Sequence, residues 1–177
     1  MPESRFVAKL TEQIAYEFGA SQQYTAIAVH YDDETLPRLA AFFYRQALEE
    51  RDHAMMMVQY LLDKDVRPQI PSVGEVESEF KDALAPLELA LAQEITVTKQ
   101  IETLARTARD ESDYIGEQFM QWFLKEQVEE VAAMKTLVNV AKRAGDNLFH
   151  LEDFLAREVV GDTGDDPTAP PAAGGKV

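Results

Sequence analysis

The chain has 177 residues, of which 46% are hydrophobic, and it contains no cysteine. This length favours one domain with a single core, and the lack of cysteine excludes disulfides, Cys-ligated iron–sulfur clusters and Cys-ligated zinc sites. The 32 acidic residues outnumber the 17 basic ones, and the net charge of -15 disfavours nucleic acid as a partner.

No stretch approaches the roughly 18 consecutive apolar residues of a membrane span, so no membrane partner is expected. The opening sequence MPESRFVAKL lacks the apolar core and cleavage site of a secretory signal. We therefore expect a cytoplasmic protein. An acidic surface attracts small cations, although many inert cytoplasmic proteins are acidic too.

The first two predicted helices form an antiparallel pair. The first runs from about Phe6 to Asp32, and a short turn leads to Pro37, which suits the first turn of the second helix. The second helix continues to about Lys64, and the short connection makes the two helices neighbours. From 65 to 81, prolines and a glycine interrupt the helical periodicity.

Periodicity resumes near Ala83 for a third helix, and after a tight turn the fourth helix ends near Gly145. A linker of about 17 residues reaches roughly 55 Å, whereas a helix of about 27 residues is about 40 Å long. The linker can therefore cross the bundle and make helices two and three parallel. We predict an all-α four-helix bundle with one long crossover and a short fifth helix at 148–159, a domain over 1–160, and a Pro/Gly-rich tail over 161–177.

Each long helix has a seam of apolar residues spaced by three and four, and one carboxylate interrupts each seam near its middle. If the seams face inward, these carboxylates converge, and burying them unpaired would cost many kcal/mol. The interrupting residues are Glu17, Glu50, Glu94 and Glu130, and His53 follows Glu50 by three positions. The pattern predicts a buried metal site.

Four carboxylates neutralise two divalent cations, and oxygen ligands with one imidazole suit iron or manganese. We expect Glu50 to bridge two ions. One ion would bind Glu17 and His53, and the other would bind Glu94 and Glu130. Gln127, one turn before Glu130, is expected to orient a carboxylate or a bound oxygen species.

Other residues have simpler interpretations. A lone seam glutamate usually extends to the surface, but four together with a histidine favour a site. The histidines His30 and His150 are interpreted as surface residues, and Met55–Met57 as core rather than haem ligands. Tyr24 is either a core aromatic or a redox-active neighbour of the site, and Trp122 is interpreted as interface packing.

The segments EFGASQQY, EERDHAMMM and GEQFMQWFLKEQVEEV resemble non-haem bacterial ferritin, a ferritin-like di-iron family, and the resemblance covers about residues 5 to 158. It implies a ferroxidase that oxidises Fe(II) with O₂ or H₂O₂ and stores ferric mineral in a hollow homo-oligomeric cage of about 24 copies. It implies a first iron site at Glu17, Glu50 and His53 and a second at Glu50, Glu94 and Glu130, and Gln127 matches the family's helix-four glutamine. With Tyr24, these residues are the candidate catalytic set. The resemblance also implies a third iron site formed by Glu49, Glu126, Glu129 and Glu130.

Departures separate the chain from relatives of that family. Bacterioferritin and rubrerythrin have a second Glu-x-x-His in helix four, where this chain has Gln127-Val128-Glu129-Glu130. Arg51 stands where bacterioferritin has its haem-binding methionine, so no haem is expected. The acidic tail also differs from the basic tail of DNA-protecting mini-ferritins. Asp113 and Glu117 match the family's acidic three-fold pore, or they cap the helix dipole.

Overall fold

The computed structural model describes residues 4–161 and 166–177, so parts of the predicted domain and tail, residues 1–3 and 162–165, lie outside the described residues. Its helices are α1 (Arg5–Asp33), α2 (Pro37–Asp63), α3 (Ala85–Asp110), α4 (Tyr114–Ala144) and α5 (Leu148–Arg157). The predicted all-α architecture is confirmed. Helix α3 begins two residues later than expected and α5 ends two residues earlier. Among these helices, none is long and apolar enough to cross a bilayer.

Two buried apolar clusters fix the direction of the helices. One cluster combines the second half of α1 with the first half of α2, the start of α3 and the second half of α4. The other combines the opposite half of each of these four helices. Therefore α1 and α2 are antiparallel, α2 and α3 are parallel, and α4 is antiparallel to α3. The long linker between α2 and α3 is the predicted crossover.

The two clusters leave a layer between them at the middle of the bundle. In α1 this layer falls between Ile14 and Tyr24, and in α2 it falls between Ala47 and Ala54. In α3 it falls between Ala90 and Val97. The burial of the apolar side chains on both sides holds this polar layer in place.

The ends of the helices are fixed by local polar contacts. The Glu111 carboxylate accepts hydrogen bonds from the first backbone N–H groups of α1, at 2.9 Å from Arg5 N and 3.1 Å from Phe6 N. Asp113 caps α4 by accepting from Gly116 N at 2.9 Å. A Cβ at Gly116 would lie 2.6 Å from the Phe6 ring, so only glycine permits this approach of α4 to α1.

The described part of the tail lies on α2 and α4. Ala173 N donates to the Met55 carbonyl at 3.0 Å, and alanine methyl groups at 169, 172 and 173 pack on an apolar cluster. Trp122 Nε1 and Lys125 Nζ each donate to Asp166 at 3.0 Å. The tail has few apolar side chains, but backbone bonds and small side chains suffice to dock it on an existing core.

Candidate metal centre

The polar layer holds all five predicted ligands of the two-metal site. Each is at most 4% exposed. They form two groups whose potential ligand atoms lie within 4.8 Å of one another, and Glu50 belongs to both. The groups are Glu17, Glu50, His53 and Glu50, Glu94, Glu130. The division is the one that the seams predict.

Burial and mutual repulsion disfavour the charged form of these carboxylates. Burial, and then the charge of Glu94, raises the pKa of Glu50 and of Glu130 well above the ordinary value. Burial raises the pKa of Glu94 to about 7, although the Tyr24 hydroxyl opposes the shift by donating to this carboxylate. A cation placed among them would favour the ionised forms and displace protons.

Among the candidate ligands, two buried side-chain atoms have no hydrogen-bond partner, as expected of metal ligands. Glu17 Oε2 and His53 Nε2 are buried and accept or donate no hydrogen bond within the described structure. The other Glu17 oxygen accepts from Gln13 Nε2 at 2.8 Å, and His53 Nδ1 lies 3.3 Å from Glu50 Oε2. Because orphaned buried polar atoms are rare and costly, this donor set fits a divalent cation.

Glu94 is held from two sides. Gln127 Nε2 donates to Glu94 Oε2 at 3.0 Å, which is the orienting contact expected of this glutamine. Tyr24 donates its hydroxyl hydrogen to Glu94 Oε1 and also packs in the core, with its ring centre 5.6 Å from that of Phe43. Tyr24 is therefore both a core aromatic and a direct neighbour of the candidate ligands.

A third group of potential ligands adjoins the first two. It comprises Glu49, His53, Glu126 and Glu130, whose ligand atoms lie within 4.8 Å of one another. The family resemblance implied Glu129 instead of His53. Glu129 is exposed on α4, because it is one residue out of register with the buried positions 126 and 130.

Two buried glutamines contact the candidate ligands and were not assigned to the site from the sequence. Gln13 donates to Glu17, and Gln46 donates to Glu49 at 2.7 Å and to Glu130 at 3.4 Å. Each glutamine lies one helical turn before Glu17 or Glu50. That spacing on the same helix face is the signal by which the sequence could have identified them.

The remaining candidates have structural partners. Met56 and Met57 are buried in an apolar cluster, and His150 is exposed. His30 is half-buried, with its ring centre 5.1 Å from that of Phe80. Trp122 is partly buried, and its ring packs edge-on against His53. Glu117 accepts from Arg109 Nε at 2.9 Å, so a pore role for it stays a prediction.

Comparison with known proteins gives consistent relatives. The sequence model of the ferritin-like domain family matches residues 7–144. Ferritin BfrB of Mycolicibacterium smegmatis is 62% identical over 175 residues, which is 99% of this chain and 96% of that protein. The protein of Mycobacterium tuberculosis strain H37Rv called bacterioferritin BfrB is 58% identical over 177 residues, covering 99% of this chain and 97% of its own.

More distant relatives share the fold. Bacterial non-heme ferritin of Staphylococcus aureus strain MRSA252 is 33% identical over 147 residues, with 83% of this chain and 89% of that protein covered. The crystal structure of an open pore ferritin from Archaeoglobus fulgidus superposes with a TM-score of 0.84 at 28% identity, over 90% of this chain and 100% of that one. With the family match spanning most of the chain, this protein belongs to the ferritin family as one of its bacterial members.

Proposed function

We propose that this protein stores iron and oxidises Fe(II) to Fe(III) at a dinuclear site within each subunit. The observation that carries the proposal is that Glu50 belongs to two buried ligand groups at once, with Glu17 and His53 on one side and Glu94 and Glu130 on the other. Membership of the ferritin family and its ferritin relatives support iron as the substrate.

The proposed role of each group follows from its chemistry. Fe(II) supplies the electrons when it is bound. Glu17, Glu50 and His53 would hold one ion, and Glu50, Glu94 and Glu130 would hold the other. Gln127 and Tyr24 keep Glu94 directed toward Glu50, and the surrounding apolar clusters exclude bulk water.

The electrons and protons balance with either oxidant. Two Fe(II) ions each give up one electron, and O₂ takes both electrons and two protons to become H₂O₂. With H₂O₂ as the oxidant, two electrons and two protons yield two molecules of water. The carboxylates release protons as the cations bind, because burial raises the pKa of Glu94 to about 7 in their absence.

We also propose that the chain assembles into a hollow homo-oligomeric cage of about 24 copies. Large apolar side chains exposed on the single subunit support extensive subunit contacts. They include Tyr114 at 70%, Val128 at 71% and Phe149 at 80% exposure. Burying such residues between subunits is favourable by about 25 cal/mol per Å² of apolar surface. We also propose a cytoplasmic location, because a reducing compartment supplies the substrate as Fe(II).

We propose that this protein binds no haem. Arg51 stands where the bacterioferritin methionine is expected, and its guanidinium lies 3.4 Å from Asp52 Oδ1. Arginine offers no lone pair to an iron porphyrin at neutral pH. One relative is called a bacterioferritin, so haem binding should be tested directly.

The alternative from another class is a non-catalytic helical scaffold with structural carboxylates. It is disfavoured because, in the described part of the chain, no lysine or arginine forms an ion pair with Glu17, Glu50, Glu94 or Glu130. In a scaffold without a cation, no attractive interaction with a positive charge would offset the desolvation free energy of these buried carboxylates.

The experiment is addition of Fe(II) to metal-free protein in air, with oxidation followed by absorbance and the product analysed by size exclusion. The proposal predicts oxidation much faster than in protein-free buffer, with iron eluting in a very large assembly. Oxidation at the buffer rate, or a monomer without iron, would support the scaffold instead.

A further inference from the structure

Gln46 connects the third ligand group with the dinuclear site. Its side chain is 1% exposed and lies on α2, facing α4. Its Nε2 atom is 2.7 Å from Glu49 Oε2 and 3.4 Å from Glu130 Oε2. A primary amide carries two N–H bonds, so one nitrogen can donate to both carboxylates.

The two acceptors belong to different groups. Glu49 is only in the third group, whereas Glu130 is in the third group and in the dinuclear site. Both carboxylates lie within hydrogen-bond distance of the same amide nitrogen, so they repel each other when both are ionised. A shared donor between them offsets this repulsion and keeps both carboxylates directed at one place.

The segment after α5 packs against the side chain of Gln46. Gly161 has φ +78°, and a Cβ there would lie 3.2 Å from Gln46 Oε1 and 3.5 Å from the Phe42 ring. Gly161, four residues beyond the end of α5, thus lies so close to the amide that a Cβ there would require a neighbour to move by a few tenths of an ångström. Close packing limits the rotamers of Gln46, so its amide is fixed before any cation binds.

We propose that Gln46 is a positioning residue that holds Glu49 beside Glu130 and thereby sets the affinity of the third group for Fe(II). The inference deepens the proposed function and rests on it in one respect, namely that these groups bind iron. Because the bond to Glu49 is the shorter one, the third group depends on Gln46 more than the dinuclear site does.

The test is an Fe(II) titration of the metal-free assembled protein under argon, where binding is measured without oxidation. Wild type is expected to bind three Fe(II) per subunit. Gln46→Met removes the donor at nearly constant volume, and Gln46→Asn moves the amide out of reach of Glu49. Both should weaken the third Fe(II) about 10- to 100-fold and leave the first two ions nearly unchanged.

Gln59→Met is the matched control. Gln59 lies on the same helix and donates to Asp63 Oδ1 at 2.7 Å, remote from the ligands. It should bind all three ions as wild type does. Using two Gln46 variants keeps the test valid if one of them fails to assemble, which circular dichroism and size exclusion would reveal.

A double-mutant cycle separates positioning from general packing. If Gln46 acts through Glu49, the effects of Gln46→Met and Glu49→Gln on the third ion should not add. Additive effects, an unchanged third affinity, or equal weakening of all three ions would overturn the inference. No saturable binding by wild type would instead overturn the proposed function itself.

Discussion

Gln127 donates a hydrogen bond from Nε2 to Oε2 of Glu94 at 3.0 Å, across the interface between α4 and α3. The contact fixes a carboxylate of the candidate site from a neighbouring helix. Gln127→Leu should therefore lower the initial rate of Fe(II) oxidation about 10- to 100-fold while the protein stays helical and assembled. Stopped-flow absorbance measures the rate. Gln59→Leu is the control, and an unchanged rate in Gln127→Leu would exclude the orienting role.

The stability of the metal-free protein should depend on pH through Glu94. Its pKa is raised to about 7 in the folded state, above the ordinary value of 4.5. The stabilising contribution of the protonated carboxyl is therefore complete below its unfolded pKa and is lost as the pH rises through about 7. Glu94→Gln remains neutral and should escape this loss.

The measurement is chemical unfolding of the metal-free wild type and Glu94→Gln at about pH 5 and about pH 8. The variant should gain about 1–3 kcal/mol relative to wild type at the higher pH and much less at the lower one. Glu102→Gln, at an exposed position of the same helix, should show no such difference. A gain that is the same at both pH values would contradict the raised pKa.

The positions of the candidate ligands in the fold could be predicted because helical periodicity is a strong signal. A charged residue in an apolar seam is conspicuous, so Glu17 and Glu94 can be identified without coordinates. The crossover could be predicted from the linker length. Contacts between helices could not, because their partners are set by the packing of α2 against α4. The contact of Gln46 with Glu130 and the closeness of His53 to Glu126 are such cases.

The docking of the tail could not be predicted from the sequence either, for a different reason. A segment rich in proline, glycine and alanine has no periodic apolar pattern, and its contacts with α2 use backbone atoms. Backbone hydrogen bonds can form whatever side chains the residues carry, so the amino-acid composition does not predict them.

The tail should be held in place by Trp122 and Asp166. Hydrogen bonds, first from Thr168 and then from Lys125 and Trp122, hold the pKa of Asp166 well below its usual range. Asp166→Asn with Trp122→Phe should loosen the tail and speed its proteolysis, because the donor at Trp122 and the charge at Asp166 are lost together. Limited proteolysis followed by mass spectrometry measures the cleavage. Equal cleavage rates in variant and wild type would show that the contact between Trp122 and Asp166 does not hold the tail.

Haem binding is expected to be absent. Protein produced with an added haem precursor should show no Soret absorption after purification, because Arg51 supplies no axial ligand. Arg51→Met tests whether this position alone prevents haem binding. A haem band in that variant would show that the other features needed to bind haem are present. A stoichiometric haem band in wild type would place the protein with bacterioferritin.

The most direct test of the account is the initial rate of Fe(II) oxidation by Glu50→Ala at about two Fe(II) per subunit. Among the described residues, Glu50 is the one shared by the two ligand groups of the proposed dinuclear site, so its removal should abolish fast oxidation. The metal-free variant should still fold and assemble, because losing one of several mutually repelling buried carboxylates relieves strain. With Glu102→Ala as the control, an initial rate in Glu50→Ala equal to that of wild type would contradict the dinuclear site.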